Sequence, residues 1–540
     1  MTTVYDAFQN SVATYGNRPF LHIPATACTA YHDGSIDFTY GEMAQKVEHL
    51  RVFYQRRGLT TGQRMGLVLE NRPDFFMHWL ALNALGVSIV PINPEFSPEE
   101  INYLVSHSEA AAVISLDERA AYIASAVKDL NCPVVSLSDL ETLPQQPEAV
   151  TGEKTEQTEC ALMFTSGSTG KPKACMLSNE YFLEFGHWYR DIGGYCTLEP
   201  GKERLLTPLP LVHMNALACS TMGMMMNGGC IIQLDRFHPR TWWQSIAESN
   251  ATIVHYLGVL PAILLQIPEG PYDRAHQVKF GFGAGVNPKH HAAFEERFGF
   301  PLIESWAMTE SGSGGCITAN VEPRHVGQSC FGKAPADVEA RLVDDTGQDV
   351  PCGEVGELLV RRKGDNPRKG FFSGYYKNPA ATEEIWEGGW LHTGDLARQD
   401  AEGAFYFVDR KKNIIRRSGE NISAVEVESI LQQQEPIGTV AVTAVPDDLR
   451  GDEVMAAIEL AEGFEDSADL AQQIFETAMP LLAYYKLPGY IAFVDKLPKT
   501  PSEKLQRGEV KTLCRRLVEQ GKTYDLRSLK KRPKTEGTGT

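Results

Sequence analysis

Residues 165–173 read Thr-Ser-Gly-Ser-Thr-Gly-Lys-Pro-Lys and follow directly on the apolar run Ala161-Leu162-Met163-Phe164. A short apolar strand that empties into small hydroxyl residues, two glycines and two lysines is what a phosphate clamp needs. The glycines Gly167 and Gly170 let backbone amides approach an anion, the hydroxyls of Thr165, Ser166, Ser168 and Thr169 donate further hydrogen bonds, and Lys171 and Lys173 supply charge. The string is expected to hold a polyphosphate. A Walker loop is excluded by spacing, since that motif needs four residues before its Gly-Lys pair. Only Ser168 and Thr169 stand between Gly167 and Gly170, and Pro172 replaces the hydroxyl residue that would meet magnesium.

The surrounding chain alternates short apolar strands with amphipathic helices. Residues 65–69 read as a buried strand, residues 74–85 put Phe75, Phe76, Trp79 and Leu82 on one helical face, and residues 87–91 read as the next strand. Ser97-Pro98-Glu99-Glu100 is a capping box with proline at the first helical position, so a helix is expected to start there. Such alternation predicts parallel strands wound with helices. At 540 residues the chain exceeds one ordinary core and should divide into at least two domains. Beyond residue 423 the pattern changes to a unit of about a hundred residues with mixed strands and helices, the usual domain scale.

Charge and cysteine usage narrow the partners. With 69 Asp plus Glu against 51 Lys plus Arg, the formal net charge is −18, which disfavours nucleic acid or an anionic membrane as the main partner. The 11 cysteines are scattered singly without a CxxC pair and point to reduced thiols and a cytoplasmic setting. No signal peptide is visible at the N-terminus, and no uncharged apolar stretch reaches the length of a membrane span. Residues 530–534 are basic, and a Gly/Thr-rich stretch follows; disorder is expected from about residue 521 to 540.

Further strings carry chemistry. His213 follows the strand-like run 204–209 in a proline-bounded loop. Residues 280–285, Phe-Gly-Phe-Gly-Ala-Gly, are dense in glycine, which leaves room for a flat ring. Residues 302–310 read Leu-Ile-Glu-Ser-Trp-Ala-Met-Thr-Glu, and residues 389–395 read Gly-Trp-Leu-His-Thr-Gly-Asp. Asp395, beside glycine at an expected strand end, could accept both hydroxyls of a ribose. Residues 409–413 form an abrupt basic turn, and Leu497-Pro498-Lys499-Thr500-Pro501-Ser502-Glu503-Lys504 closes the second unit.

Taken in order, these strings resemble those of the AMP-forming adenylation superfamily, which includes acyl-CoA ligases, luciferases and the adenylation domains of peptide synthetases. The likeness runs from about residue 30 to 510, and the 409–413 and 417–423 strings look nearest to crotonobetaine or carnitine CoA ligases. It implies an α/β fold: a large N-terminal domain of wound α/β subdomains over residues 1–411, and a smaller mobile α+β C-terminal domain over 412–520 with Lys412 as hinge. It also implies an ATP-dependent carboxylic acid–CoA ligase with ATP, Mg2+ and CoA as its small molecules; a stand-alone enzyme loading a carrier protein is the alternative. The assembly expected by default is a homodimer.

The resemblance assigns residues one by one. Trp306, with Gly283, Ala284 and Ala307, would border the adenine, Thr309 would bond the phosphates, and Glu310 would hold magnesium. Asp395 and Arg410 would take the ribose or phosphate. His213, Met214, Tyr256, Ala307 and Met308 would border the acyl group, and Lys504 would reach into the active site during adenylation. Ser418 and Gly419 would lie on the path of CoA. This chain departs from the family pattern at Ala307, Ser418 and Glu503, each of which stands where glycine is usual.

Overall fold

The computed structural model describes residues 1–147, 152–165, 171–410, 414–498 and 505–531, with the side chains of Asp409 and Arg410 left aside. The expected phosphate-loop residues 166–170, the hinge Lys412 and Lys504 therefore lie outside the described residues, as does residue 532 onward.

Among the described residues the strands form three sheets. The strand Glu159–Thr165 joins a seven-stranded sheet, where it pairs with Ser88–Pro91 in parallel and with Lys173–Ser178 in antiparallel register. Thr165 sits opposite Lys173, so the two described ends of the motif read from the sequence are paired strand residues. The expected helices are present as Pro73–Asn83 and Pro98–Ser108. The second opens with the capping box: Ser97 accepts from the Glu100 amide at 3.2 Å, and the Glu100 carboxylate accepts from the Ser97 amide at 2.7 Å. Both groups are amides the first helical turn would otherwise leave unpaired.

A thirteen-stranded sheet forms the other half of the large domain. Arg204–Thr207, Ile253–Leu257, Phe280–Ala284 and Leu302–Trp306 run parallel there, with almost every side chain buried. In open parallel sheets ligands gather beyond the carboxyl ends of the strands, and these four strands end on one cleft. The smaller sheet, with the helices Ala424–Leu431 and Ala468–Ala478, encloses a separate core around Val427, Val442, Ile474 and Phe475. No helix among the described residues is long and apolar enough to cross a membrane.

One ion pair ties the sheet to its flank. Arg324 reaches the two Glu295 carboxylate oxygens at 2.7 and 2.9 Å, with His291 at 3.1 Å and the Leu302 amide at 2.8 Å. Burial works against ionisation, but these partners hold the Glu295 carboxyl down at about 2, below its ordinary 4.5. A depressed carboxyl contributes stability that is present above pH 4.5 and is lost as pH falls toward 2. Glu295→Gln is expected to cost ~3 kcal/mol at neutral pH and to flatten the acid limb across that window. Denaturant titrations at a series of pH values check it; an unchanged acid limb would refute the assignment.

Candidate functional site

The strand ends open onto a cavity of about 430 Å3 between the large and small domains. One corner is built from Thr165, Lys173, Glu310 and Tyr375. Thr165 donates to Glu310 Oε1 at 3.3 Å, and Tyr375 donates to the same oxygen at 2.8 Å. The Lys173 ammonium lies 4.8 Å from the centre of the Tyr375 ring. Burial, and then the Glu310 carboxylate, push the Tyr375 hydroxyl far up, so it remains a donor. With two hydroxyls on Oε1, the carboxylate is held in one orientation. Among the described residues no group of three or more His, Cys, Asp or Glu could cage a metal. A single oriented carboxylate fits magnesium carried in by a triphosphate, since that ion keeps most of its oxygen ligands from water and phosphate.

The loop after Trp306 is held from behind. Tyr181 donates to the Thr309 carbonyl at 2.9 Å, and Ser311 Oγ accepts from the Met308 amide at 2.9 Å. Ala307, Met308, Thr309 and Glu310 thereby all border the cavity.

On the expected nucleoside side two of the named residues meet each other. Trp306 is buried, and its indole N–H donates to Asp395 Oδ2 at 2.9 Å. Thr393, Gly394, Ala284 and Gly285 border the cavity beside them. Asp395 stands within the strand Leu391–Gln399 rather than at its end. Its backbone pairs with that of Arg410, and Gly394, at φ 68°, supplies the turn in the chain just before it.

The glycine-rich strip also differs from its expected role. A Cβ on Gly283 would lie 2.8 Å from the Tyr256 ring, and one on Gly281 would lie 3.4 Å from it. The ring accommodated here is therefore the protein's own. Tyr256 is buried, donating to Glu304 Oε1 at 2.8 Å, so it does not border the acyl space as expected. Glu304 also accepts from the Gly285 and Val286 amides at 2.9 and 3.2 Å, fixing the turn where the strip meets the cavity. Burial raises its carboxyl above the ordinary range. Two residues of the site thus escaped the sequence reading. Glu304 had a usable signal, a charge inside an apolar strand, which burial obliges to find partners; Tyr375 had none.

His213, Met214 and Asn215 line the same cavity with Leu257, Val259 and Ala262. Behind them His255 is bracketed by Tyr189 and Ser220, each at 2.7 Å, and burial drives its pKa down to about 3. It is a neutral core histidine. His213 behaves oppositely: burial opposes its charge, but the Glu420 carboxylate, 3.4 Å away on the small domain, raises its pKa.

The small domain enters through residues 418–421. Ser418 and Gly419 adopt φ of 51° and 92°, and a Cβ on Gly419 would come within 2.5 Å of a Leu257 methyl. Consecutive left-handed residues explain the usual preference for glycine, and Ser418 tolerates that conformation at some cost. The cavity thus brings together Thr165, Lys173, His213, Met214, Ala284, Ala307, Met308, Thr309, Glu310 and Gly419. Lys171 lies apart, with its ammonium 5.1 Å from the centre of the Tyr103 ring.

Known proteins are similar to this chain in sequence and fold. A crotonobetaine/carnitine–CoA ligase of Proteus mirabilis is 30% identical over 487 residues, covering 87% of this chain and 92% of that protein. A sulfoacetate–CoA ligase of Cupriavidus necator is 31% identical over 511 residues, covering 92% and 94%. The solved structure of o-succinylbenzoate CoA synthetase from Bacillus subtilis superimposes with a TM-score of 0.79 at 22% identity, covering 95% of this chain and 98% of that one. Residues 8–376 match the model of the AMP-binding enzyme family, and residues 426–504 match that of the AMP-binding enzyme C-terminal domain. With both parts present in order, the chain belongs to the AMP-binding enzyme family, as an AMP-forming acid–thiol ligase.

Proposed function

We propose that this chain joins a small carboxylic acid to CoA in two steps at one cavity, in the cytoplasm. The observation that carries the reading is the facing of two unlike walls. The large domain offers the phosphate corner of Thr165, Lys173 and Glu310, and the small domain offers Gly419 and Glu420 across the same space.

A carboxylate resists attack by a thiol because its charge and resonance oppose addition and oxide is a poor leaving group. In the first step its oxygen attacks the α-phosphorus of ATP and pyrophosphate leaves. Lys173, the hydroxyls and amides of residues 165–170 and Lys504 would meet the negative charge that accumulates. One well-placed donor of this kind contributes about 2.7–4 kcal/mol. Magnesium held by Glu310 would supply further positive charge to the phosphate oxygens. In the second step the CoA sulfur attacks the acyl carbonyl and AMP leaves with the bonding pair. Residues 1–411 and 412–520 would act as two domains, with rotation about Lys412 withdrawing Lys504 and presenting Ser418 and Gly419. Asp395 and Arg410 would engage the ribose or phosphate, Asp395 with its carboxylate oriented by Trp306.

For the acid, the proposal is a short or medium chain, an aryl group or a betaine. Met214, Val259, Ala307 and Met308 give the cavity an apolar stretch, which suits the uncharged part of such an acid. A panel of acids scored for AMP release with and without CoA tests this. AMP release that requires CoA and no carrier protein supports the reading, whereas release only with an acylated carrier would replace it. Ala307→Gly, which removes one methyl from the acyl wall, is expected to raise kcat/KM for the bulkier acids of the panel by about tenfold, within the range one such group commands. An unchanged ranking of acids would place the acyl group elsewhere.

A further inference from the structure

Between the two domains lies a charge cluster outside the proposed chemistry. Lys486 of the small domain places its ammonium 2.5 Å from Glu100 Oε1 and 2.8 Å from Glu426 Oε1. All three residues are at most 9% exposed. Glu100 belongs to the large domain, in the first turn of Pro98–Ser108, and Glu426 opens the helix Ala424–Leu431 of the small domain. The contact extends around them: the Lys486 ammonium lies 5.2 Å from the centre of the Phe96 ring, and Ser97 Oγ donates to the Leu481 carbonyl at 3.2 Å.

Two features make this contact suited to opening and closing. If the domains part, Lys486 keeps Glu426, and Glu100 keeps the Ser97 amide on its other oxygen, so no charge is stranded. Glu426 also stands five positions beyond Asn421 in the chain, joined to it by the strand Glu420–Ser423. Whatever fixes the start of its helix also fixes the loop that meets His213 and Leu257. Burial, with Glu100 nearby, raises the Glu426 carboxyl, in keeping with two carboxylates competing for one ammonium.

We propose that Lys486 and Glu100 form a positioning pair that docks the small domain with residues 418–421 against the cavity and so serves the thioester-forming step in particular. This inference rests on the two-step reading above. Glu100 lies outside the cavity lining, and Lys486, which reaches that lining, is held by two carboxylates, so the pair acts through the docking of the loop.

The test compares half-reactions in Glu100→Gln, whose amide oxygen can still accept from Ser97 and preserve the helix cap. Thioester formation from a supplied acyl adenylate and CoA should fall about tenfold or more, while ATP–pyrophosphate exchange stays within about twofold of the parent. Glu100→Asp, which keeps the negative charge and an acceptor for the Ser97 amide, should retain more of the rate than Glu100→Gln. Amide hydrogen exchange at residues 96–101 and 481–487 should quicken in Glu100→Gln and less so in Glu100→Asp, a readout that needs no acid. Equal slowing of both half-reactions, no slowing of either, or unchanged amide protection would overturn the proposal. A parent enzyme that makes no CoA thioester would sink the ligase reading, while amide exchange would still judge the docking pair.

Discussion

Lys504→Ala is expected to abolish ATP–pyrophosphate exchange, with a loss of at least about 10²–10³-fold, while thioester formation from a supplied acyl adenylate continues. The expectation rests on division of labour. Charge builds on the phosphate oxygens only while the acid attacks ATP, so an ammonium delivered at that moment lowers one barrier and not the other. Thr165, Lys173 and Glu310 remain at the phosphate corner in the variant, so ATP should still bind. The losses should therefore fall on kcat more than on KM for ATP. Measuring the two half-reactions separately decides the matter: equal loss in both would remove Lys504 from its assigned role.

Gly419→Val should do the reverse. Gly419 adopts φ 92°, a conformation foreign to β-branched residues, and even a Cβ there would meet a Leu257 methyl at 2.5 Å. The leucine tip could shift, but a branched side chain would push the loop back from the wall that also carries His213. Misplacement of a reacting group by about 1 Å costs roughly a hundredfold, and a loss of that size is expected in thioester formation. Exchange with pyrophosphate should persist, because the phosphate corner belongs to the large domain. Stopped reactions analysed for acyl-AMP and acyl-CoA would show the adenylate accumulating. If the thioester forms at the parental rate, the loop does not border the path of CoA.

Much of this site is written locally in the chain. The strand Glu159–Thr165, the hairpin partner Lys173, the cap at Ser97 and the helix Pro73–Asn83 depend on neighbours a few positions apart, and their side-chain periods and turn chemistry are visible in a string of letters. The order of the motifs likewise brought Thr309, Glu310, His213 and Gly419 onto one list, and all four border one cavity.

Other features depended on what faces what. Glycines at 281 and 283 indicate missing side chains, but only the neighbouring strand shows that Tyr256 fills the space. Trp306 and Asp395 are 89 positions apart and meet through an indole N–H. Tyr375 finds Glu310 across 65 positions. None of these pairings has a periodic signature.

The amino-acid order alone determined the α/β class, the capped helix after Ser97 and the family's motifs in their order, because local hydrogen bonding and charge follow from adjacent side chains. Tertiary structure decided which residues of those motifs border the cavity, what orients them and how the small domain meets the large one. The Lys486–Glu100 contact spans 386 positions, and burial makes such a contact energetically significant only once both domains have excluded water from it.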